Sequence, residues 1–234
     1  MQTVILAGGK GTRLKPYTTI FPKPLMPIGE MPILEVILRQ LKYYQCNEIV
    51  MAVGYLKELL QAYFNYGEKW DINIRYSVEE KTLGTAAPLK LVNDLQDNFM
   101  VMNGDVLTNI NYADFFHYHQ VQDSLCTIAV YKKQVKIDLG VLDLDQQNVL
   151  TSYTEKPTID YNVSMGVYAF NKAVLDYIPQ DSYFDFPDLV KSLIKDGKKV
   201  MAYPFDGYWL DIGRPEDYQQ AAEVFEENIS EFLK

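Results

Sequence analysis

Cysteine is nearly absent from this chain. Cys46 and Cys126 are its two, and neither belongs to a C-x-x-C pair, so both read as buried free thiols. An excess of basic residues is missing as well. The net charge is -9 and the isoelectric point about 4.8, which opposes the basic face that duplex nucleic acid requires. An acidic protein still binds a small polyanion where a few cations and a metal are placed locally. No apolar run reaches the roughly 20 residues needed to cross a bilayer. No basic stretch followed by a long apolar region marks a signal peptide, because the N-terminus enters only the short run Val4–Ala7. The expectation is a cytoplasmic protein with neither nucleic-acid nor membrane partners. Linkers, low-complexity tracts and internal repeats are also lacking. Histidine occurs twice, and His117 and His119 lie two apart in a helical stretch. They face different sides, so they read as structural or solvated rather than as a metal pair.

What is present is an ordinary globular composition, 48% hydrophobic and 23% charged over 234 residues. A chain of this length buries roughly 70% of the surface its unfolded form exposes, and it needs no disulfide or structural metal to fold. Strand-like runs at Thr3–Ala7, Glu48–Val53, Ile72–Val78 and Phe99–Met102 alternate with helical periods at Ile33–Tyr44, Leu56–Tyr66 and Ala86–Leu95. This alternation predicts an α/β fold with a parallel sheet covered on both faces. Further strands are expected at Ser124–Tyr131, Gly140–Leu144 and Met165–Phe170, and helices at Tyr112–Gln122, Asp185–Lys195 and Pro215–Phe232. The reading is one domain over 1–234. A nucleotide half covers about 1–110, and an acceptor half about 111–234.

The first strand runs into Gly8-Gly9-Lys10-Gly11-Thr12-Arg13. Glycines after a strand let the backbone approach a ligand closely, and successive N–H groups there form an anion-binding concavity. Lys10 and Arg13 add positive charge. Walker A spacing is absent, and the dinucleotide fingerprint would need a glycine where Leu14 stands. A tight turn without a ligand is the simpler alternative, which the two cations oppose. Downstream, Pro22-Lys23-Pro24 stiffens the backbone around one lysine. Alone it would read as a rigid surface loop.

Together these two elements resemble the opening of the sugar-1-phosphate nucleotidyltransferases, or nucleotide-sugar pyrophosphorylases. The resemblance continues through Gly84-Thr85-Ala86, Asn103-Gly104-Asp105, Glu155-Lys156-Pro157 and Trp209-Leu210-Asp211-Ile212-Gly213, and covers nearly the whole chain. It implies a Rossmann-like three-layer sandwich with a mostly parallel mixed sheet. It also implies a nucleotide site of Leu6, Ala7, Gly8, Gly9, Gly11, Thr12, Arg13, Glu79, Gly84, Thr85 and Asp105. Gly8 and Gly9 would lie near base and ribose, Arg13 and Lys23 on the triphosphate, and Asp105 and Asp211 on Mg²⁺. Arg13, Lys23 and Asp105 would carry the chemistry. Many members add a C-terminal β-helix; this chain ends in a helix-like acidic stretch and resembles the short members. An even-numbered homo-oligomer is compatible with the resemblance.

The implied reaction joins a nucleoside triphosphate to a sugar 1-phosphate and releases pyrophosphate. The attacking phosphate oxygen is already anionic, so no general base is needed, and positioning and charge stabilisation must supply the rate. Asp105 follows an apolar strand, where ligands of open α/β sheets gather. Asp211 stands in an apolar setting where an unpaired carboxylate is costly. Two carboxylates plus phosphate oxygens suit Mg²⁺. The alternatives are turn or helix capping by the same two residues. On the acceptor side the resemblance implies Gly140, Glu155, Lys156, Ser164 and Gly166; without it, Glu155 and Lys156 would read as a surface pair.

By resemblance, the residue five before Gly84, Glu79, reads the base edge. A carboxylate only accepts hydrogen bonds, and guanine offers two adjacent donors, so Glu79 leans towards GTP. The stretch Glu79–Ala86 also looks like the mannose-1-phosphate guanylyltransferases, with Thr82 where proline is common. Mannose 1-phosphate is the favoured acceptor, with a heptose phosphate or glucose 1-phosphate as alternatives. The alternatives are a uridylyl- or thymidylyltransferase acting on glucose 1-phosphate, or a catalytically silent binder of nucleotide sugars. A nicotinamide-dependent oxidoreductase is opposed by the missing third glycine.

Overall fold

A computed structural model describes residues 1–233; Lys234, the last residue of the expected domain, lies outside the described residues. Seven strands form the central sheet: β1 (Gln2–Ala7), β2 (Glu48–Val53), β3 (Asn73–Val78), β4 (Asn98–Asn103), β5 (Cys126–Lys136), β6 (Thr158–Asn171) and β7 (Val200–Phe205). Their spatial order is β7-β5-β6-β4-β1-β2-β3. β1 runs parallel to β2 and β4, and β2 to β3. β6 is antiparallel to both neighbours, while β7 is parallel to β5. The sheet is therefore mostly parallel and mixed, and it draws strands from both halves of the chain.

Alternation along the strands builds a core on each face. Ile5, Met51, Met100 and Met102 pack with helices α1 (Ile33–Tyr43), α3 (Tyr112–Gln122) and α5 (Pro215–Glu227). Their neighbours Val4, Val50, Phe99 and Val101 pack with α4 (Phe186–Lys195) and a 3₁₀ segment, Ala87–Leu91. Strands buried on both faces read as unbroken apolar runs, which is why β1, β2 and β4 are legible in the sequence. The remaining α2 (Lys57–Phe64) buries Leu60 and Phe64 in the first core.

The structure departs from expectation at two helices. Ala86–Leu95 contains only the 3₁₀ segment: four successive residues, Ala86, Ala87, Pro88 and Leu89, are buried, which is not the one-sided apolar stripe of an amphipathic α-helix. The C-terminal helix is broken at Asn228, and a short α6 (Ile229–Phe232) follows. The Asn228 side chain donates to Val224 O at 2.9 Å and accepts from the Tyr208 hydroxyl at 3.0 Å.

Several strands carry no clear signal in the sequence. β7 is an edge strand containing Pro204, tolerated because β5 is its one partner in the sheet. Leu150–Glu155 is another strand without a clear signal, and it pairs as a hairpin with Gly140–Leu144, a strand the sequence did predict. A short antiparallel pair joins Val106–Thr108 to Trp209–Asp211 and sets Asp211 opposite Val106. No helix among the described residues is long and apolar enough to cross a membrane.

Candidate active site

The carboxyl ends of β1, β2, β3 and β4 meet at one edge of the sheet. Gly104 N donates to Leu6 O at 3.0 Å, Tyr55 N to Gly8 O at 3.3 Å, and Glu79 N to Val53 O at 3.0 Å. These bonds tie the four strand ends together around a cleft of about 580 Å³. Leu6, Ala7, Gly8, Gly9, Gly11, Arg13, Glu79, Gly84, Thr85 and Asp105 all line it, as do Lys10 and Lys23. Thr12 opens a 3₁₀ turn on the exposed side of the loop and is not in the lining.

One end of the cleft is electrostatically built. Lys23 pairs with Asp105 through Oδ2. The other oxygen, Oδ1, is buried and has no hydrogen-bond partner. Lys10 and Arg13 take part in no salt bridge among the described residues, so their charge remains available to an anion. The Thr18 hydroxyl donates to Gly11 O at 2.7 Å and holds the turn that follows the glycines.

Asp211 belongs to the same cluster. Burial raises its pKa first, and Asp105 raises it further. Lys23 and Arg13 oppose the rise, and Asp217 adds to it. Helix α5 begins after Arg214 with no side chain capping it, so Asp211 does not serve as its cap. The donor set suits Mg²⁺: a buried carboxylate oxygen without a partner, and a second carboxylate within its electrostatic reach. Mg²⁺ is commonly held by one or two carboxylates plus substrate phosphates. No group of three or more candidate ligands occurs among the described residues.

The opposite end is shaped by glycine and carboxylate. A Cβ on Gly8 would stand 2.6 Å from Glu79 Oε1, so only glycine lets this carboxylate lie against the loop. Glu79 Oε2 accepts from Leu83 N at 3.2 Å, and burial raises its pKa while that bond lowers it. Gly84 has φ +90°, and a Cβ there would meet Phe184 O at 2.7 Å. Thr85 donates to Asp185 Oδ1 from its N–H at 2.8 Å and its hydroxyl at 2.9 Å. Tyr183 donates to Asp185 Oδ2 at 2.6 Å. Tyr183 and Asp185 line the cleft, and sequence reasoning missed both. No local motif marks them, since they arrive from a segment about one hundred residues downstream.

The acceptor-side residues stand apart from this lining. Gly140 and Glu155 face each other across the hairpin, and Tyr153 donates to Glu155 Oε2 at 2.7 Å. Lys156 follows in the left-handed region at φ +44°. Ser164 donates to the Tyr168 hydroxyl at 3.0 Å. Gly166 lies against the side chain of Asn103, which does line the cleft. The two histidines separate as their spacing required. His117 is exposed, whereas His119 is buried against Thr127, Ser124 and Asn98.

Comparison with known proteins gives the family. The family model described as "Nucleotidyl transferase" matches residues 2–228. The chain belongs to the nucleotidyl transferase family. It is 34% identical to a mannose-1-phosphate guanyltransferase of Pichia angusta, over 93% of this chain and 62% of that protein. It is 31% identical to a UTP–glucose-1-phosphate uridylyltransferase of Synechocystis, over 94% of this chain and 62% of that protein. The chain thus spans about 62% of the length of these curated family members. Among solved structures it is similar to HddC from Yersinia pseudotuberculosis complexed with GMP-PN. The TM-score is 0.72 at 27% identity, over 96% of this chain and 99% of that one. Within the family, then, the matched relatives differ in base and sugar.

Proposed function

We propose that this chain is a Mg²⁺-dependent nucleotidyltransferase that condenses GTP with mannose 1-phosphate, releasing pyrophosphate and forming GDP-mannose. The observation carrying the reading is the cation cluster at one end of the cleft. Among the described residues Lys10 and Arg13 form no salt bridge there, beside a Lys23–Asp105 pair with one buried oxygen that lacks a hydrogen-bond partner. The Pichia relative is named for guanyl transfer to mannose 1-phosphate, and the HddC structure contains GMP-PN; both favour the guanine reading. The Synechocystis relative is named for UTP and glucose 1-phosphate, which makes UTP the competing base.

In the reaction, an oxygen of the sugar phosphate attacks the α-phosphate. A new P–O bond forms, the α–β bridge breaks, and pyrophosphate leaves with the electron pair. Two polyanions must be brought together, so charge neutralisation and alignment are the main task. Arg13 holds the triphosphate through its planar fork of donors, with Lys10 beside it. Lys23 neutralises charge growing on the α-phosphate. Asp105 and Asp211 would hold Mg²⁺, which when bound supplies further charge neutralisation at the phosphates. Glu79 accepts from the N1–H and 2-amino donors of guanine. Gly140, Glu155, Lys156, Ser164 and Gly166 are assigned to the sugar phosphate, and Gly166 reaches the cleft through Asn103.

The test is pyrophosphate release with four nucleoside triphosphates crossed against mannose, glucose and heptose 1-phosphates, with and without EDTA. Release with GTP and mannose 1-phosphate, abolished by EDTA, is expected. Release with UTP or dTTP instead would keep the reaction and overturn the base assignment. Silence across the grid would overturn the reaction for these sugars.

A further inference from the structure

Tyr183 is 59% exposed, yet its orientation is fixed. Its hydroxyl donates to Asp185 Oδ2 at 2.6 Å, and Asp185 in turn accepts twice from Thr85. An exposed tyrosine normally samples several rotamers. This one is held at the rim of the cleft by a charge-assisted bond, so little freedom remains to be lost when a ligand arrives.

Its place along the cleft is also defined. Phe184 N donates to Leu83 O at 2.8 Å, and Leu83 N donates to Glu79 at 3.2 Å. Tyr183 therefore stands at the Glu79 end, away from the cations of the glycine loop and Lys23. A nucleobase presents polar edges and apolar faces. A carboxylate such as Glu79 can meet only an edge. A face requires a flat apolar partner, and Tyr183 is the aromatic side chain in the cleft lining.

We propose that the nucleobase stacks on the ring of Tyr183, so that this residue supplies affinity for any base while Glu79 chooses among bases. The proposal rests on reading the cleft as a nucleoside triphosphate site. Stacking tolerates every base because each has a π face. Tyr183 should therefore strengthen GTP and UTP binding alike, without altering the preference between them.

The experiment is direct binding of GTP, UTP and inorganic tripolyphosphate, with Mg²⁺, to the wild type, Tyr183→Ala and Tyr183→Phe. Tyr183→Ala is expected to weaken both nucleotides about tenfold, the lower part of the range for loss of one base–aromatic stack, and to leave tripolyphosphate unchanged. Tyr183→Phe keeps the ring and loses the bond to Asp185 that orients it, and is expected to weaken both nucleotides by about two- to threefold, clearly less than Tyr183→Ala. Equal nucleotide binding by wild type and Tyr183→Ala would overturn the proposal while leaving the nucleotide site intact. A loss in Tyr183→Phe as large as in Tyr183→Ala would assign the effect to the Asp185 bond and overturn stacking. Weakened tripolyphosphate binding would do the same. A wild type that binds no nucleotide would overturn both the proposal and the reading beneath it.

Discussion

Lys23 and Asp105 are ion-paired inside the cleft through one carboxylate oxygen, and the other oxygen of Asp105 is buried without a partner. A half-satisfied buried carboxylate is costly to keep. Here it coincides with the place where substrate phosphates and Mg²⁺ are proposed to meet, so the cost has a use.

Lys23→Ala follows directly. Removing one preorganised charge-stabilising group commonly lowers turnover by roughly 100- to 1,000-fold. The variant is expected to fall in that range in a pyrophosphate-release assay while keeping the wild-type circular dichroism spectrum. Near-full turnover would remove Lys23 from the chemistry.

Glu79→Gln tests base choice. A carboxylate accepts from both guanine donors, whereas an amide offers one donor and one acceptor face, the pattern of uracil and thymine. The ratio of kcat/KM for GTP over UTP should fall by at least about tenfold, the cost of roughly one mismatched hydrogen bond. An unchanged ratio would show that the Glu79 carboxylate does not read the base.

Asp185→Ala removes three hydrogen bonds at once, two from Thr85 and one from Tyr183. The loop carrying Gly84 keeps its backbone bonds to Phe184 but loses the carboxylate that ties Thr85 and Tyr183 together ahead of α4. We expect a stability loss of roughly 1–3 kcal/mol, or a fall in Tm of roughly 2–4 °C per kcal/mol for a chain of this size. KM for the nucleotide should rise and KM for the sugar phosphate should not. Equal rises in both would place Asp185 outside the nucleotide end.

His119 sets a pH dependence of stability. Burial pushes its pKa down to about 4, against about 6.5 when unfolded. Between those values the unfolded chain binds the proton and the folded chain does not, so stability is lost as pH falls from about 6.5 towards about 4. The slope is about 1.4 kcal/mol per unit, up to about 3 kcal/mol in total. Urea unfolding at pH 7, 6 and 5 should show this loss in the wild type. The loss should be smaller in His119→Gln, which keeps polar atoms for Thr127 and Asn98. Parallel profiles would show that His119 does not titrate on unfolding.

The sequence by itself determined the central strands, the glycine loop and the family. β1, β2 and β4 are buried on both faces, so their apolar runs are continuous and local composition reports them, whereas β3 is a partly buried edge strand. The glycine loop and the Pro-flanked Lys23 are short-range signals, because the backbone conformations they need are set by adjacent residues. Tertiary structure alone decided what lies far apart in the chain. Val106–Thr108 and Trp209–Asp211 are too short to be read as strands, and only their pairing brings Asp211 towards Asp105. Tyr183 and Asp185 carry no local pattern, and they reach Gly84 and Thr85 as α4 packs through Phe186 on Tyr168 and Phe170 of β6. A cleft lined from four strand ends and a distant loop is a property of the folded sheet, and no window of sequence contains it.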